Sequence, residues 1–228
     1  MSTQSAFKKD LVVQARVNMV ESQVRPGGVR DARICKAMTQ ISREAFICHS
    51  QKDLAYADVE TQMISNTTTR LLPTPYAFSR LAELAEIKSS DIVLDIAGGS
   101  GYSAAILATM AATVIALEDD EDFAERASEI WQNLGIDNVV SVFGPLEQGQ
   151  AKQGPFDVIF INGEVEEVSQ ALLDQLADRG RLVCVQNYEG AEKALIITKI
   201  NDGFSYVHGT LLSMPKVNTF NKKPEFQF

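Results

Sequence analysis

The chain has 228 residues, of which 45% are hydrophobic and 22% are charged, and its formal net charge is −9. This length allows one large domain or one domain with an extension, and the composition is that of a globular protein with a buried core. The negative charge, part of which lies in the acidic run 118–122, argues against general nucleic-acid binding, because that function requires a basic face.

The cysteines and the apolar runs indicate the cellular compartment in which the protein is expected. Cys35, Cys48 and Cys184 are few, odd in number and far apart, so they form neither a disulfide framework nor a zinc site, and they suit the reducing cytosol. No apolar run is long enough to span a membrane, and the first ten residues lack the apolar core of a signal peptide. We therefore expect a cytoplasmic protein with no membrane partner, no nucleic-acid partner and no metal; its oligomeric state is left open.

The first 75 residues are predicted to form a helical segment on the substrate side. Apolar residues at helical spacing predict helices over 11–20 and 31–41, separated by Pro26 and two glycines. The segment 46–69 has little periodicity and many polar residues, so it is predicted to be irregular and to line a site. Pro75 stands where the next helix can begin.

From residue 91 onward, strand and helix patterns alternate, and residues 76–228 are predicted to form the ligand-binding core. The predicted strands are 92–96, 113–118, 138–143, 155–161, 181–185, 194–200 and 204–212. The predicted helices between them are 103–110, 122–134 and 164–177. Such alternation implies an α/β fold with a mostly parallel, seven-stranded sheet and helices on both faces.

A glycine-rich turn follows the first of these strands. The apolar run 92–96 ends with an acidic residue near the turn, and a helical pattern begins at residue 103. Because ligands bind at the carboxyl ends of strands in open α/β sheets, and glycines let a ligand approach the main chain, the turn predicts a nucleotide-like cofactor. The residues expected around this ligand are Asp95, Ala97, Gly98, Gly99, Ser100, Gly101 and Tyr102.

The spacing of the glycines distinguishes between cofactors. The dinucleotide fingerprint G-x-G-x-x-G fails from Gly98 and from Gly99, so nicotinamide dinucleotides are not expected. The pattern fits the acidic-x-G-x-G-x-G motif of S-adenosylmethionine (AdoMet) methyltransferases, with Ala97 in place of the first glycine. Glu118 ends the next strand, where a carboxylate can accept hydrogen bonds from both ribose hydroxyls. Together these features indicate AdoMet.

Several motifs resemble those of the protein-L-isoaspartate O-methyltransferases. They are residues 19–26, 29–31, 43–46 and 54–58, the Gly-Ser-Gly-Tyr form of the glycine turn, and residues 155–159, 172–176 and 180–183. The resemblance implies a Rossmann-like class I methyltransferase with an N-terminal helical extension. It also implies AdoMet as cofactor, and as partner a protein or peptide in which a damaged aspartyl carboxylate is methylated. Asp119, Gly144 and Asn162, at the ends of later strands, complete the expected cofactor site.

The sequence departs from this family where the acceptor and the adenine are bound. The family carries a Ser or Thr in an Ile-Ser-x-Pro-type segment; without gaps, Pro73 takes that position with Thr74 beside it, whereas an insertion would bring Ser65 there. Gly144 and Pro145 stand where Gly-Asp-Gly is expected, which implies reduced cofactor affinity. A small-molecule acceptor, or a non-catalytic AdoMet-binding role, is the alternative.

Methylation of a carboxylate sets modest chemical requirements. The carboxylate is already ionised at neutral pH, since its reference pKa is about 4, so no general base is needed. A hydroxyl or backbone N–H that orients the acceptor suffices. Thr74 and Ser65 are the predicted catalytic residues, and the hydroxyls of residues 67–69 are further candidates. His49 and His208 show no ligand or triad spacing and are expected to be structural or on the surface.

Overall fold

The computed structural model describes residues 3–221, with side chains from residue 10 onward. Helix α1 spans Thr3–Met19 and continues into a π-helical turn, Val20–Val24; helix α2 spans Ala32–Gln40. The Asp31 side chain caps α2 by accepting a hydrogen bond of 2.8 Å from the Arg33 N–H. The helices predicted over 11–20 and 31–41 are confirmed, but the first begins eight residues earlier than predicted, at Thr3.

The prediction that residues 46–69 are irregular throughout was wrong. A 3₁₀ segment covers His49–Leu54, and strand β1, Thr61–Ile64, pairs in an antiparallel hairpin with strand β2, Thr69–Leu72. Buried and exposed residues do alternate along β1. Four residues are too few for that alternation to stand out in a polar segment, which is why the hairpin was missed.

The remaining elements form the α/β core. The helices are α3 (Pro75–Leu84), α4 (Tyr102–Ala108), α5 (Glu121–Leu134) and α6 (Gln170–Asp174). The strands are β3 (Ile92–Ile96), β4 (Thr113–Glu118), β5 (Val139–Phe143), β6 (Phe156–Val165), β7 (Leu176–Tyr188), β8 (Ala191–Ile200) and β9 (Gly203–Leu211).

These strands form one seven-stranded sheet in the order β5-β4-β3-β6-β7-β8-β9. Strands β3 to β7 run parallel to one another, and β8 is antiparallel to both β7 and β9. The predicted Rossmann-like fold is confirmed. The chain crosses the sheet in one direction after β3 and in the other after β6, so the gap between the ends of these two strands is the topological switch point, where such folds bind ligands.

The predicted helix 164–177 is shorter than expected. Strand β6 continues to Val165, and α6 covers only Gln170–Asp174. The cause is tertiary pairing: the Glu164 N–H donates to the Pro215 carbonyl at 2.9 Å, and the Val217 N–H donates to the Glu164 carbonyl at 2.9 Å. A distant C-terminal segment thus extends the strand and places residues 215–219 beside the carboxyl ends of β3 and β6.

Alternate residues of the central strands face two separate hydrophobic clusters. On one face Val93, Val158 and Phe160 pack with residues of α1 to α5; on the other Leu94 and Ile159 pack with α6 and the C-terminal segment. The N-terminal helices therefore share a core with α3 to α5, and the division at residue 75 stays a prediction. Within residues 3–221, no helix has the length and apolar character needed to cross a membrane.

Candidate functional site

A pocket of about 530 Å³ opens at the switch point. Its lining comes from the end of β3, the loop after β4, the end of β6, the hairpin β1–β2 and the C-terminal segment. The lining residues are 67–71, Ala97, Asp119, Asp120, Asn162 and 215–219. The structure thus brings together Ala97, Asp119 and Asn162, which the sequence predicted as cofactor residues from three separate strand ends.

Asp95 forms the buried floor beneath the glycine turn. Its carboxylate accepts a hydrogen bond of 2.6 Å from the Ser103 hydroxyl and one of 2.7 Å from the Asn162 amide. Burial raises the pKa of Asp95 to about 7, and these hydrogen bonds act in the opposite direction. The Asn162 amide also donates to the Ile96 carbonyl at 3.0 Å, so it locks the ends of β3 and β6 together.

Ala97 adopts a backbone conformation that suits glycine better. Its φ is +61°, in the left-handed region that costs a residue with a Cβ about 1–2 kcal/mol. This is the position of the first glycine in the acidic-x-G-x-G-x-G motif. The turn therefore keeps the backbone path that the glycine motif specifies, even though the residue has changed.

Glu118 is the second acidic group beside the turn, and it is buried. One carboxylate oxygen accepts a hydrogen bond from the Gly99 N–H, and the other, Oε2, has no hydrogen-bond partner among the described residues. Burial raises the pKa of Glu118 to about 7, and the positive charge of Arg70 opposes this shift. A buried carboxylate oxygen without a donor is costly unless a ligand supplies one.

Asp119 and Asp120 anchor the neighbouring segments. Asp119 pairs with Arg70 and accepts a hydrogen bond of 3.1 Å from the Thr219 hydroxyl. Asp120 caps α5 by accepting from the Phe123 N–H at 3.0 Å. Burial raises the pKa of Asp120, but hydrogen bonds, first among them that from the Thr67 hydroxyl, outweigh it and hold the pKa below its usual value.

Three predicted cofactor residues direct their side chains or N–H groups elsewhere. The Ser100 hydroxyl donates to the Phe46 carbonyl, and the buried Tyr102 ring packs edge-on against Phe46 with centroids 5.5 Å apart. The Gly144 N–H donates to the Glu118 carbonyl at 2.8 Å, and Gly144 does not line the pocket. Ser100 and Tyr102 tie the turn to the N-terminal segment, and a cofactor role for them or for Gly144 stays a prediction.

The two predicted catalytic hydroxyls lie outside the lining of this pocket. Thr74 caps α3 by accepting from the Ala77 N–H at 3.1 Å and lines a separate cavity of about 330 Å³ with Glu60 and Glu192. Ser65 lies at the turn of the hairpin and donates to Asp120 at 2.9 Å. The pocket's own hydroxyls belong to residues 67–69 and Thr219. The sequence predicted the hydroxyls of residues 67–69 as candidates for orienting the acceptor, but it did not indicate Thr219.

A buried arginine holds the segment that carries Thr74. The Arg43 side chain donates to the Pro73 carbonyl and lies over the Tyr102 ring, 5.1 Å from its centroid. It is fully buried, and this burial lowers the pKa of Arg43. Arg43 thereby joins the residue 73–74 segment to the helix that follows the glycine turn, so the two predicted regions are coupled through the core.

Known proteins similar to this chain share its sequence motifs and its fold. The model of the family named protein-L-isoaspartate(D-aspartate) O-methyltransferase matches residues 14–213. The protein-L-isoaspartate O-methyltransferase of Methanoculleus marisnigri is 38% identical over 168 residues, 74% of this chain and 75% of that protein. Protein-L-isoaspartate O-methyltransferase 1 of Syntrophobacter fumaroxidans is 30% identical over 195 residues, 86% of this chain and 90% of the other.

Two solved structures agree with these relatives. A protein-L-isoaspartate O-methyltransferase superimposes with a TM-score of 0.71 at 26% identity, over 83% of this chain and 62% of that longer chain. A Plasmodium falciparum protein of the same description, in complex with S-adenosyl-L-homocysteine, has a TM-score of 0.70 at 24% identity, over 87% of this chain and 97% of its own. The chain belongs to the protein-L-isoaspartate O-methyltransferase family.

Proposed function

We propose that this protein is an AdoMet-dependent O-methyltransferase that methylates the carboxylate of an isoaspartyl residue in a protein or peptide. The observation that carries the cofactor assignment is the buried Oε2 of Glu118 beside the glycine turn, a hydrogen-bond acceptor to which no residue of 3–221 donates. Ribose hydroxyls are suitable donors for such an oxygen. The acceptor assignment rests on the relatives, whose names describe isoaspartate methylation.

The residues present fit AdoMet. Glu118 would take the ribose hydroxyls, Asp119 would face the adenine, and the turn from Ala97 to Gly99 would face the amino-acid tail, with Asp95 beneath it. Bound AdoMet supplies an electrophilic methyl group on a sulfonium. The buried carboxylates also suit a positively charged ligand, because they place negative charge where little water can screen it.

Methyl transfer to a carboxylate requires the protein to position the acceptor and to exclude water. An isoaspartyl carboxylate is ionised at neutral pH, so no side chain has to remove a proton. Hydroxyls or backbone N–H groups must hold the carboxylate in line with the methyl group, since orientation supplies much of the rate. Residues 67–69 and Thr219 line the pocket, and their hydroxyls are the candidates for this contact.

A direct assay tests this function. The purified protein is incubated with AdoMet labelled in its methyl group and with a peptide containing one isoaspartyl residue, and the same peptide with a normal aspartyl residue is the control. We expect base-labile label on the isoaspartyl peptide only. Tight AdoMet binding without transfer to this peptide would reject isoaspartate methylation. It would favour a methyltransferase with another acceptor, which the loss of the hydroxyl at Pro73 also suggests.

The roles of Thr74 and Ser65 can be separated by substitution. If either hydroxyl orients the acceptor, its charge-assisted hydrogen bond is worth about 1.5–3 kcal/mol, so replacement by alanine should lower the rate roughly ten- to a hundredfold. Thr74→Ala also removes a helix cap, which should cost about 1 kcal/mol of stability, whereas Thr74→Ser keeps the cap.

Rates at saturating AdoMet and unfolding curves are therefore measured for Thr74→Ala, Thr74→Ser and Ser65→Ala. A rate loss in Thr74→Ala that Thr74→Ser restores would assign the role to Thr74, and a loss in Ser65→Ala would assign it to Ser65. Unchanged rates in all three would exclude both residues and leave the pocket hydroxyls or a backbone N–H.

A further inference from the structure

The hairpin β1–β2 is attached to the acidic run that begins at Glu118. The Ser65 and Thr67 hydroxyls donate to Asp120, and the Asn66 N–H donates to Asp122 at 2.9 Å. These contacts join the turn of the hairpin to the start of α5. The run 118–122, which the sequence shows only as a block of negative charge, therefore holds the hairpin at the pocket that residues 67–71 line.

Two side chains of the hairpin lie on the glycine turn. Met63 and Arg70 are partners in the β1–β2 register. A Cβ added at Gly99 would lie 2.5 Å from Met63 Cε and 3.8 Å from Arg70 Cδ, so both side chains cover this residue. The hairpin thus rests against the backbone that the cofactor motif would present to a ligand.

Arg70 partly neutralises the negative charge at the predicted ribose site. Its Nη2 pairs with Asp119 and lies 3.4 Å from Glu118 Oε2, which is inside ion-pair range but gives no hydrogen bond. The Arg70 side chain is only 17% exposed, and its Nε has no hydrogen-bond partner within the described part of the chain. Arg70 Nε and Glu118 Oε2 therefore both lack a hydrogen bond within the described residues. A ligand with two adjacent hydroxyls would satisfy Glu118 better.

The hairpin is attached to different parts of the protein at its base and at its tip. It forms a two-stranded sheet of its own, and an isolated hairpin of this size is marginally stable. At its base, the Cys48 N–H donates to the Gln62 carbonyl at 2.8 Å and Leu72 is buried in the core. At its tip the partners are mainly the carboxylates of Asp120 and Asp122.

From this geometry we propose that Arg70 is a built-in competitor of the cofactor: its guanidinium pairs with Glu118 when no ligand is bound, and the ribose hydroxyls must displace it. The inference rests on the proposed AdoMet site. It makes the hairpin a lid whose closed position is stabilised in part by Glu118, the carboxylate that we assign to the ligand. Removal of Arg70 should then strengthen ligand binding, whereas a cofactor-binding arginine would show the reverse.

The test is the dissociation constant of S-adenosyl-L-homocysteine, measured by calorimetry at pH 8.5, which is above the pKa of about 7 that Glu118 has in the wild type. Arg70→Ala and the longer Arg70→Gln should bind about three- to tenfold more tightly than the wild type, since a competing, partly buried ion pair has been removed. Arg25→Ala is the control, because it removes an equal charge from an exposed pair outside the pocket lining. This control should bind like the wild type.

A second readout follows the hairpin itself. In ligand-free protein, amide hydrogen exchange over residues 61–72 should be faster in both Arg70 variants than in the wild type, because one link to the acidic run has been lost. Equal or weaker binding in both folded Arg70 variants would overturn the inference while leaving the cofactor assignment in place. No binding by any form at millimolar ligand would reject both.

Discussion

Replacing Glu118 by alanine should weaken the binding of S-adenosyl-L-homocysteine at least about a hundredfold. The carboxylate is buried next to the glycine turn, and its Oε2, which accepts no hydrogen bond from the described residues, is the acceptor that we assign to the ribose. Two charge-assisted hydrogen bonds at about 1.5–3 kcal/mol each correspond to a loss of this size or larger. Calorimetry on the purified variant measures it directly.

Two matched variants make this result specific. Glu121→Gln alters an exposed glutamate in the same acidic run and should leave the dissociation constant within about twofold, as expected for a surface substitution. Glu118→Gln keeps an acceptor for the Gly99 N–H but removes the charge, so its affinity should fall between those of wild type and Glu118→Ala. Wild-type affinity in both Glu118 variants would contradict the ribose assignment.

The same carboxylate gives the binding a dependence on pH. The pKa of Glu118 is about 7, raised by burial, and hydroxyl donors favour the ionised form. Affinity in the wild type should therefore rise as pH increases through 7 and fall below it. Glu118→Gln should reduce this dependence to the part contributed by Asp95, whose pKa is also about 7. For folding the sign is opposite, because the folded state holds the proton more tightly between about pH 4.5 and 7, so this group's contribution to stability falls as pH rises through that window.

The sequence was most informative where strands are buried on both faces. Parallel strands such as β3 and β4 read as continuous apolar runs, so their positions and the acidic residues at their ends could be predicted. The carboxyl ends of parallel strands meet at one edge of the sheet, and for this reason Ala97, Asp119 and Asn162 converge as expected. The alternation of strand and helix then determined the sheet type.

The sequence could not show which residue each polar group contacts in the folded protein. Glu164 reads as the start of a helix, but its backbone pairs with residues 215–217, more than 50 positions away. Nothing local distinguishes a hydroxyl that caps a helix, as Thr74 does, from one that faces a substrate. Arg70 showed no pattern of its own, because its importance comes from lying against Glu118, which is 48 residues further along the chain. Such pairings depend on tertiary structure, which overrides local preference.

Gly101→Ala should cause the largest loss of stability among substitutions in the glycine turn. Gly101 has φ of +89°, and an added Cβ would lie 2.8 Å from Cε2 of Trp131 and 2.9 Å from Cβ of Ala127. Left-handed backbone costs alanine about 1–2 kcal/mol, and overpacking of a core adds about 1–3 kcal/mol. Trp131 is also held in place, because its indole N–H donates to the Gly101 carbonyl at 2.9 Å. We therefore expect about 2–5 kcal/mol in the free energy of unfolding.

Gly190→Ala separates the two contributions to that loss. Gly190 also has positive φ, +79°, but no atom of the described residues lies within 4 Å of its added Cβ, so this variant carries the backbone cost without the clash. Urea unfolding of both variants should show a loss of about 1–2 kcal/mol for Gly190→Ala and a clearly larger one for Gly101→Ala. If the two losses were equal, α5 would have moved away from the turn at little cost. The rigid packing of Trp131 against Gly101 would then not be what fixes the path of the chain into α4.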